Sequence, residues 1–168
     1  MTLTIRPETP TDIPAIERLT AEAFLHAAHR SGTEQFIVNA LRRAGQLSVS
    51  LVALDDGEPV GHVALSPVGI SSGATGWYGL GPISVTPGHQ GEGIGSRLME
   101  AALAELRDLG AEGCVLLGDP GYYSRFGFVV RPGLVLPGVP AEYFQALSLH
   151  GNWAEGEVSY HAAFDATA

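Results

Sequence analysis

The chain of 168 residues contains no lysine and a single cysteine, Cys114. One cysteine forms no internal disulfide and builds no cage of several thiolates around a metal, so we expect neither, and no metal in the site. Because a nucleotide-binding P-loop needs a lysine on the phosphates, that motif is excluded as well. Cys114 itself lies in an apolar run, where a packed hydrophobic role is expected rather than a nucleophilic one.

Basic charge is scarce. Nine arginines stand against eighteen acidic residues, which gives a formal charge of −9 and a pI near 5.0. A nucleic-acid-binding protein carries a basic stripe, whereas these arginines are scattered, so we expect no nucleic-acid partner. The acidic field favours a small cationic molecule, although acidity that serves only solubility explains the same composition.

Long hydrophobic runs are also missing. No stretch reaches the roughly 20 apolar residues of a membrane span, and the start MTLTIRPETP lacks the pattern of a signal peptide. We therefore expect a cytoplasmic protein with no membrane partner. Apolar residues make up 45% of the chain, which suits one domain over residues 1–168 with its own core.

Hydrophobic periodicity divides the first half of the chain into strands and helices. The pattern predicts strands over residues 2–7, 48–54 and 59–67, with DDGE as the turn between the last two. A helix is expected after Thr9 and Pro10, and a second one over residues 33–44.

The second half predicts a strand over 77–87, a long helix from Ile94 closed by Gly110, and a buried strand over 113–118. Because Gly79, Gly81 and Pro82 are awkward in a central ladder, we expect a bulge or a splayed edge in the 77–87 strand. The remaining predictions are a short helix over GYYSRF, a strand over 127–131, a helix over 141–147 and a last strand over 156–164. The core is expected to cover about 2–131, and 132–168 to form a C-terminal extension with a helix and a final strand.

Residues 89–98, HQGEGIGSRL, place three glycines in front of the long helix. A dinucleotide-binding turn needs G-x-G-x-x-G and an acidic residue about 20 positions later, where the apolar run Val115–Leu117 stands instead. A tight turn without a ligand needs only one glycine. The remaining interpretation is an anion cradle, in which glycines expose the unpaired amides of a helix N-terminus to a pyrophosphate.

The segment VTPGHQGEGIGSRLM resembles the acyl-CoA loop of the GNAT superfamily of N-acetyltransferases, whose pattern is [Q/R]-x-x-G-x-[G/A] at the start of a helix. YYSRFGF resembles the Tyr-x-x-x-Gly-Phe of the same superfamily. GHVALSP, LGDPGYYSRFGF and GEVSYHAAF are similar to a bacterial YhbS-like subgroup. The resemblance implies an α/β, single-domain acyl-CoA N-acyltransferase fold, with a mixed, mostly antiparallel sheet flanked by helices and a splayed strand before the loop.

The resemblance also implies an activity. It predicts an N-acetyltransferase that moves an acetyl group from acetyl-CoA to an amine of a small molecule or peptide by direct transfer. The alternative is a non-catalytic module that binds acyl-CoA as a sensor or as a partner-binding domain. The expected partners are acetyl-CoA and an amine acceptor, and the C-terminal tail either closes over the site or pairs with a second subunit in a homodimer.

Site residues are carried over on the matching positions. The resemblance implies that the backbone amides of Ile83 and Val85 polarise the acyl carbonyl and that Tyr123 protonates the departing thiolate, while Tyr122 is expected in the core. The implied cofactor-binding residues are Ile83, Val85, Gln90, Gly91, Glu92, Gly93, Ile94, Gly95, Ser96 and Tyr123.

The group that takes the amine's proton stays open. The strand before the loop offers Ser84 but no carboxylate. His62 is one candidate base, and a satisfied half-buried histidine is the other interpretation of that residue. Glu22, His26 and His29 lie near the first helix-to-helix turn, where the family often places acceptor contacts, and a water molecule is a further alternative.

Two departures from the family pattern affect the cofactor. Glu92 stands where the family usually has lysine or arginine, and Arg97 and Arg125 are the nearest cations for the phosphates. The family's Asn-x-x-Ala before the short helix is replaced by GDPGYY. The loop amides must therefore carry most of the phosphate binding.

Overall fold

The computed structural model describes residues 2–25 and 32–168. Its strands are β1 (Leu3–Pro7), β2 (Val49–Asp55), β3 (Glu58–Pro67), β4 (Gly69–Ile70), β5 (Trp77–Val85), β6 (Gly113–Leu117), β7 (Leu134–Val135), β8 (Phe144–Ser148) and β9 (Gly156–Ser159). Its α-helices are α1 (Ile13–Phe24), α2 (Glu34–Arg43), α3 (Ile94–Asp108) and α4 (Pro120–Tyr123).

Six strands form the central sheet in the order β1-β2-β3-β5-β6-β8. All neighbours pair antiparallel except β5 and β6, which run parallel because α3 crosses between them. A second, small sheet has the order β4-β9-β7. The predicted mixed, mostly antiparallel sheet flanked by helices is confirmed.

Alternation of side chains along β2 and β3 gives the central sheet two apolar faces. On one face, Val63 and Leu65 pack with the fully buried Leu98 and Leu106 of α3. On the other face, Ile16 of α1 and Val38 of α2 pack with Val52 and Leu54 of β2. The sheet is therefore covered on both sides, with α1 and α2 opposite α3.

The predicted helix over residues 141–147 is wrong. Residues Ala141–Tyr143 form one 3₁₀ turn, and the chain then runs as β8, paired with β6. Phe144, Gln145 and Ala146 are all buried, which fits a strand covered on both faces rather than an amphipathic helix. The helix propensity of residues such as those in AEYFQAL predicts secondary structure only weakly, and pairing with a distant strand overrides that propensity.

Two further strand predictions hold only in part. Residues 127–131 contribute a single bridge, from Val129 to Ala146, and Pro132 ends any ladder there. The last strand ends at Ser159, and Ala162–Asp165 form a 3₁₀ turn against α2. The C-terminal segment thus folds back onto the helices of the core.

The expected irregularity of the 77–87 strand is confirmed in β5. Leu65 of β3 pairs with Leu80, whereas Val63 pairs with Ile83, so β5 carries one residue more than β3 over this interval. On its other side β5 pairs with β6 only from Trp77 to Gly79. Beyond Gly79 the two parallel strands separate, and we name this opening the β5–β6 gap.

Candidate active site

The β5–β6 gap receives backbone donors from β5. The amide of Thr86 donates to the carbonyl of Val60 at 2.9 Å, and in an antiparallel ladder such paired residues alternate with unpaired ones. His62 and Ser84 are then the next hydrogen-bonded pair, which turns the amides of Ile83 and Val85 away from β3. These are the two donors predicted to polarise an acyl carbonyl.

The glycine loop follows β5 directly. Gly91 and Gly93 have φ angles of +83° and +82°, and a Cβ at either position would have no atom within 4 Å. Since space is not limiting, these two glycines serve the left-handed backbone conformation, which costs other residues roughly 1–2 kcal/mol. Gly93 caps α3, whose first amides have no partner within the helix and open towards an anion.

Gly95 differs from the two glycines before it. It lies in the first turn of α3, and a Cβ there would sit 3.6 Å from the Tyr122 hydroxyl oxygen, an ordinary contact. The loop therefore does not need glycine at this position for its own shape. This agrees with the acyl-CoA loop pattern [Q/R]-x-x-G-x-[G/A], whose last position accepts either glycine or alanine.

Tyr122 lies at the loop rather than in the core, which corrects the sequence prediction. Its hydroxyl is 3.2 Å from the Ser96 hydroxyl at the start of α3. The Arg125 guanidinium carbon lies 4.6 Å from the centre of the Tyr122 ring, a cation–π arrangement. Tyr122 thus holds a positive charge near an anion cradle that contains Glu92.

Tyr123 is the last residue of α4, the short helix that follows β6. Its ring packs so closely on Gly118 that a Cβ there would come within 2.2 Å of the ring, so glycine at 118 makes this position possible. The ring meets that of Tyr122 edge-on, with centroids 4.9 Å apart. Burial, assisted by Tyr122 and Asp119, raises the pKa of Tyr123 above its usual value, so the hydroxyl keeps its proton at neutral pH.

A cavity of about 390 Å³ opens at the β5–β6 gap, and we name it the apolar cavity. The described residues that line it are Phe24, Glu34, Ile37, Leu80, Gly81, Pro82, Ile83, Leu116, Leu117, Tyr123, Tyr160 and Phe164. Most of these side chains are hydrocarbon. Glu34, the first residue of α2, is the charged one among them.

The C-terminal tail supplies one wall of the apolar cavity. Tyr160 and Phe164 stack with ring centroids 4.8 Å apart. Tyr160 lies directly over β5, where a Cβ on Gly79 would come within 2.4 Å of its ring. Closure of the site was one of the two roles expected for the tail, and these two residues of the tail line the apolar cavity.

His62 lies outside the lining of the apolar cavity. It is fully buried, and its Nε2 is 2.7 Å from the Ser50 hydroxyl oxygen. The Ser50 hydroxyl donates a hydrogen bond to Glu8. Its oxygen therefore accepts a hydrogen bond from His62, whose Nε2 carries the ring proton. Two hydrogen bonds, of 2.8 and 2.9 Å, join Glu8 to Arg42. Desolvation lowers the pKa of His62 to about 4, and the ring stays neutral at pH 7.

The other candidate bases are Glu22, His26 and His29. Glu22 is exposed on α1, and it is not among the lining residues given above. His26 and His29 lie outside the described residues. Glu34 was missed in the sequence, because no motif marks it and only the fold brings α2 to the gap.

Two further kinds of site are absent from residues 2–25 and 32–168. In these ranges no three His, Cys, Asp or Glu side chains come together as a metal ion would need. None of the helices in the same ranges has the length and apolar character required to cross a membrane.

The known proteins that are similar to this chain share one family. The acetyltransferase (GNAT) family profile matches residues 13–128. The uncharacterized N-acetyltransferase YhbS of Escherichia coli K12 is 36% identical over 169 aligned residues, which cover 96% of this chain and 98% of that protein.

Two solved structures are similar over nearly the whole chain. A GNAT family acetyltransferase from Brucella melitensis, in complex with acetyl-CoA, is 49% identical, with a TM-score of 0.87 and coverage of 98% of this chain and 99% of that one. The YhbS structure from Escherichia coli, in complex with CoA, is 34% identical, with a TM-score of 0.88 and coverage of 99% and 93%.

Proposed function

The chain belongs to the acetyltransferase (GNAT) family, and from that premise we propose that it moves the acetyl group of acetyl-CoA directly to an amine held in the apolar cavity. It is an N-acetyltransferase that uses acetyl-CoA, as the complexes of its relatives with acetyl-CoA and CoA indicate. The observation that carries the proposal is the meeting of three features at the β5–β6 gap: the outward amides of β5, the Tyr123 hydroxyl and a cavity.

The loop and the gap fit acetyl-CoA. The left-handed glycines and the first amides of α3 form a cradle suited to its pyrophosphate, with Arg125 held nearby on Tyr122. The β5–β6 gap provides a path from that cradle to the apolar cavity. Acetyl-CoA, when bound, supplies an activated thioester.

The chain's own groups then act on that thioester. The amides of Ile83 and Val85 donate to the acyl oxygen, where negative charge develops, and one such donor is typically worth about 10²–10³ in rate. Tyr123 holds a proton for the departing sulfur. His62 contributes through packing, because a neutral, fully buried ring outside the cavity lining does not reach the amine.

Direct transfer is supported by the state of Cys114. The thiol is fully buried, and its burial raises its pKa far above the usual range. A protonated, enclosed thiol does not carry the acetyl group as a covalent intermediate. The amine itself is therefore the nucleophile. A cytoplasmic location and a homodimer remain predictions from the sequence.

The proposal is tested with acetyl-CoA and a panel of amines. We expect acetyl-CoA to raise the melting temperature and at least one amine to cause steady release of free thiol. A melting shift without thiol release from any amine would favour the non-catalytic acyl-CoA-binding module. No shift at all would contradict both functions.

Gly93→Ala is expected to weaken CoA binding about 5- to 30-fold, because alanine at a φ of +82° is strained by roughly 1–2 kcal/mol and the loop departs from its shape. Gly95→Ala is the matched control, since its Cβ meets only ordinary contacts. We expect this second variant to bind within about threefold of the parent in isothermal titration calorimetry. Equal losses in both variants would show that bulk, and not backbone conformation, is what the loop excludes.

A further inference from the structure

Gln145 of β8 is a polar side chain buried in apolar surroundings. It is 1% exposed, and its partner in the ladder, Leu116 of β6, packs in the same apolar cluster as Leu98 of α3. Side chains of directly paired residues lie on the same face of a sheet, so the Gln145 amide points into this cluster. Burial of an amide is costly unless it is hydrogen-bonded, and an apolar side chain would fill the space without that cost. The reason for glutamine at position 145 therefore lies in the hydrogen bond that it makes.

That hydrogen bond replaces a missing bond of the sheet. Nε2 of Gln145 donates to the carbonyl oxygen of Gly118 at 3.0 Å. The amide of Gly118 donates to the carbonyl of Tyr143 at 2.9 Å, as in a regular antiparallel ladder. The return bond is not formed, because the Tyr143 amide donates to the Pro140 carbonyl at 3.1 Å within a 3₁₀ turn. The Gln145 side chain thus binds the Gly118 carbonyl in place of the Tyr143 amide.

The peptide group between Gly118 and Asp119 is the point from which α4 starts, and α4 carries Tyr123. The Asp119 carboxylate accepts from the amide of Gly121 at 2.9 Å, and the Asp119 carbonyl accepts from the amide of Tyr123 at 3.0 Å. The Tyr123 ring also packs on Gly118 itself, where a Cβ would come within 2.2 Å of the ring. A rotation of this peptide group would therefore move both the start of α4 and the surface that supports the ring.

From these contacts we propose that Gln145 is a positioning residue for Tyr123. By holding the Gly118 carbonyl, Gln145 fixes the peptide group from which α4 starts, and with it the place of the Tyr123 hydroxyl beside the departing sulfur. The inference rests on the proposed acetyl transfer, in which that hydroxyl holds a proton for the sulfur. A displacement of about 1 Å in such a group costs up to about 10²-fold in rate, so one distant hydrogen bond is enough to matter.

Gln145→Met tests the hydrogen bond. Methionine has a similar length and volume and no donor, so the apolar packing is kept. We expect kcat at saturating amine and acetyl-CoA to fall about 5- to 30-fold, while KM for acetyl-CoA changes less than about threefold. The fall does not exceed that of Tyr123→Phe, because Gln145 acts through the Tyr123 hydroxyl. An unchanged kcat would overturn the proposal.

A double variant separates positioning from general damage to the fold. Once Tyr123→Phe has removed the hydroxyl, Gln145 has nothing left to position, so adding Gln145→Met is expected to change kcat by less than about twofold. Losses that multiply would show a merely structural role and would contradict the proposal. Leu147→Met is the matched control, because Leu147 lies on the same face of β8 in the same cluster. This volume-conserving exchange should leave kcat within about twofold of the parent.

Two further measurements keep the possible failures apart. A melting shift with acetyl-CoA shows that a variant is folded and binds the donor. If Gln145→Met does not fold, a crystal structure of the parent with CoA decides: we expect the Gln145 amide on the Gly118 carbonyl and the Tyr123 hydroxyl facing the sulfur, and the lack of either contact overturns the proposal. If the parent releases no thiol with any amine, the proposed function fails; if it does and Gln145→Met keeps the kcat of the parent, only this inference fails.

Discussion

Tyr123→Phe is expected to lower kcat about 10- to 1,000-fold while KM for acetyl-CoA changes little. The substitution removes one oxygen atom and leaves the ring on Gly118. Because the pKa of Tyr123 is raised, the parent enzyme has its hydroxyl fully protonated at neutral pH. The fall in kcat of the variant therefore reflects the missing proton, which the parent holds ready for the departing sulfur.

The size of this effect has a physical limit. A thiolate with a pKa near 8.5 is a fair leaving group, and a phenol with a pKa above 10 transfers its proton to it against the equilibrium. The benefit therefore comes from a hydrogen bond to the developing charge more than from full proton transfer. We expect a loss in the lower part of the range when the amine is a good nucleophile.

The adjacent tyrosine provides the matched control. Tyr122→Phe removes a hydroxyl that contacts Ser96 at the loop, so it is expected to affect binding of acetyl-CoA and to leave kcat within about threefold. Steady-state kinetics at saturating acetyl-CoA distinguishes the two variants. An unchanged kcat in Tyr123→Phe, or an equal loss in both, would remove Tyr123 from the proposed chemistry.

The folded protein is expected to lose stability between pH 6.5 and pH 4 because of His62. Burial lowers the pKa of His62 from 6.5 to about 4, so protonation favours the unfolded chain. The stability that the neutral His62 ring contributes is complete above pH 6.5 and is lost as the pH falls towards 4. At about 1.4 kcal/mol per pKa unit, the change is on the order of 3 kcal/mol.

Two carboxylates act in the same direction. Bonds to Arg42 and Ser50 lower the pKa of Glu8 despite its burial. The Arg6 hydrogen bond lowers the pKa of Asp12 to about 2, so Asp12 contributes stability that is lost below its usual value of 3.8. The loss of stability between pH 6.5 and pH 4.5 therefore comes mainly from His62.

Urea unfolding from pH 7.5 to pH 4.5 measures this dependence. In His62→Gln the free energy of unfolding should vary much less across the window, since glutamine has no proton to gain. His150→Gln, which replaces an exposed histidine, should keep the slope of the parent. If His62→Gln retains the full slope, another group is the source of the acid sensitivity.

The features that sequence alone predicted correctly are encoded locally. Gly81 and Pro82 interrupt β5, and Asp119 with Pro120 starts α4, where the Asp119 carboxylate accepts from the amide of Gly121. Gly91 and Gly93 before α3 adopt a left-handed conformation for a similar reason, since each needs only its own backbone conformation.

Features that depend on distant contacts could not be predicted in this way. The segment that forms β8 has the composition of a helix, and only its pairing with β6 makes it a strand. Glu34, Tyr160 and Phe164 carry no motif, and they meet because the fold brings α2 and the tail to the same gap. The amide directions of Ile83 and Val85 follow from the register with β3, which no local pattern fixes.

The two halves of the site are encoded very differently. The proposed cradle comes from one continuous segment, residues 89–98, whereas the walls of the apolar cavity come from α1, α2, β5, β6 and the tail. Substitutions in the tail therefore change the cavity walls without touching the cradle segment. In evolutionary terms the proposed cradle is inherited as a single unit and the cavity walls as separate pieces. Exchange of residues 160–165 between relatives is the direct test of whether those walls set the acceptor.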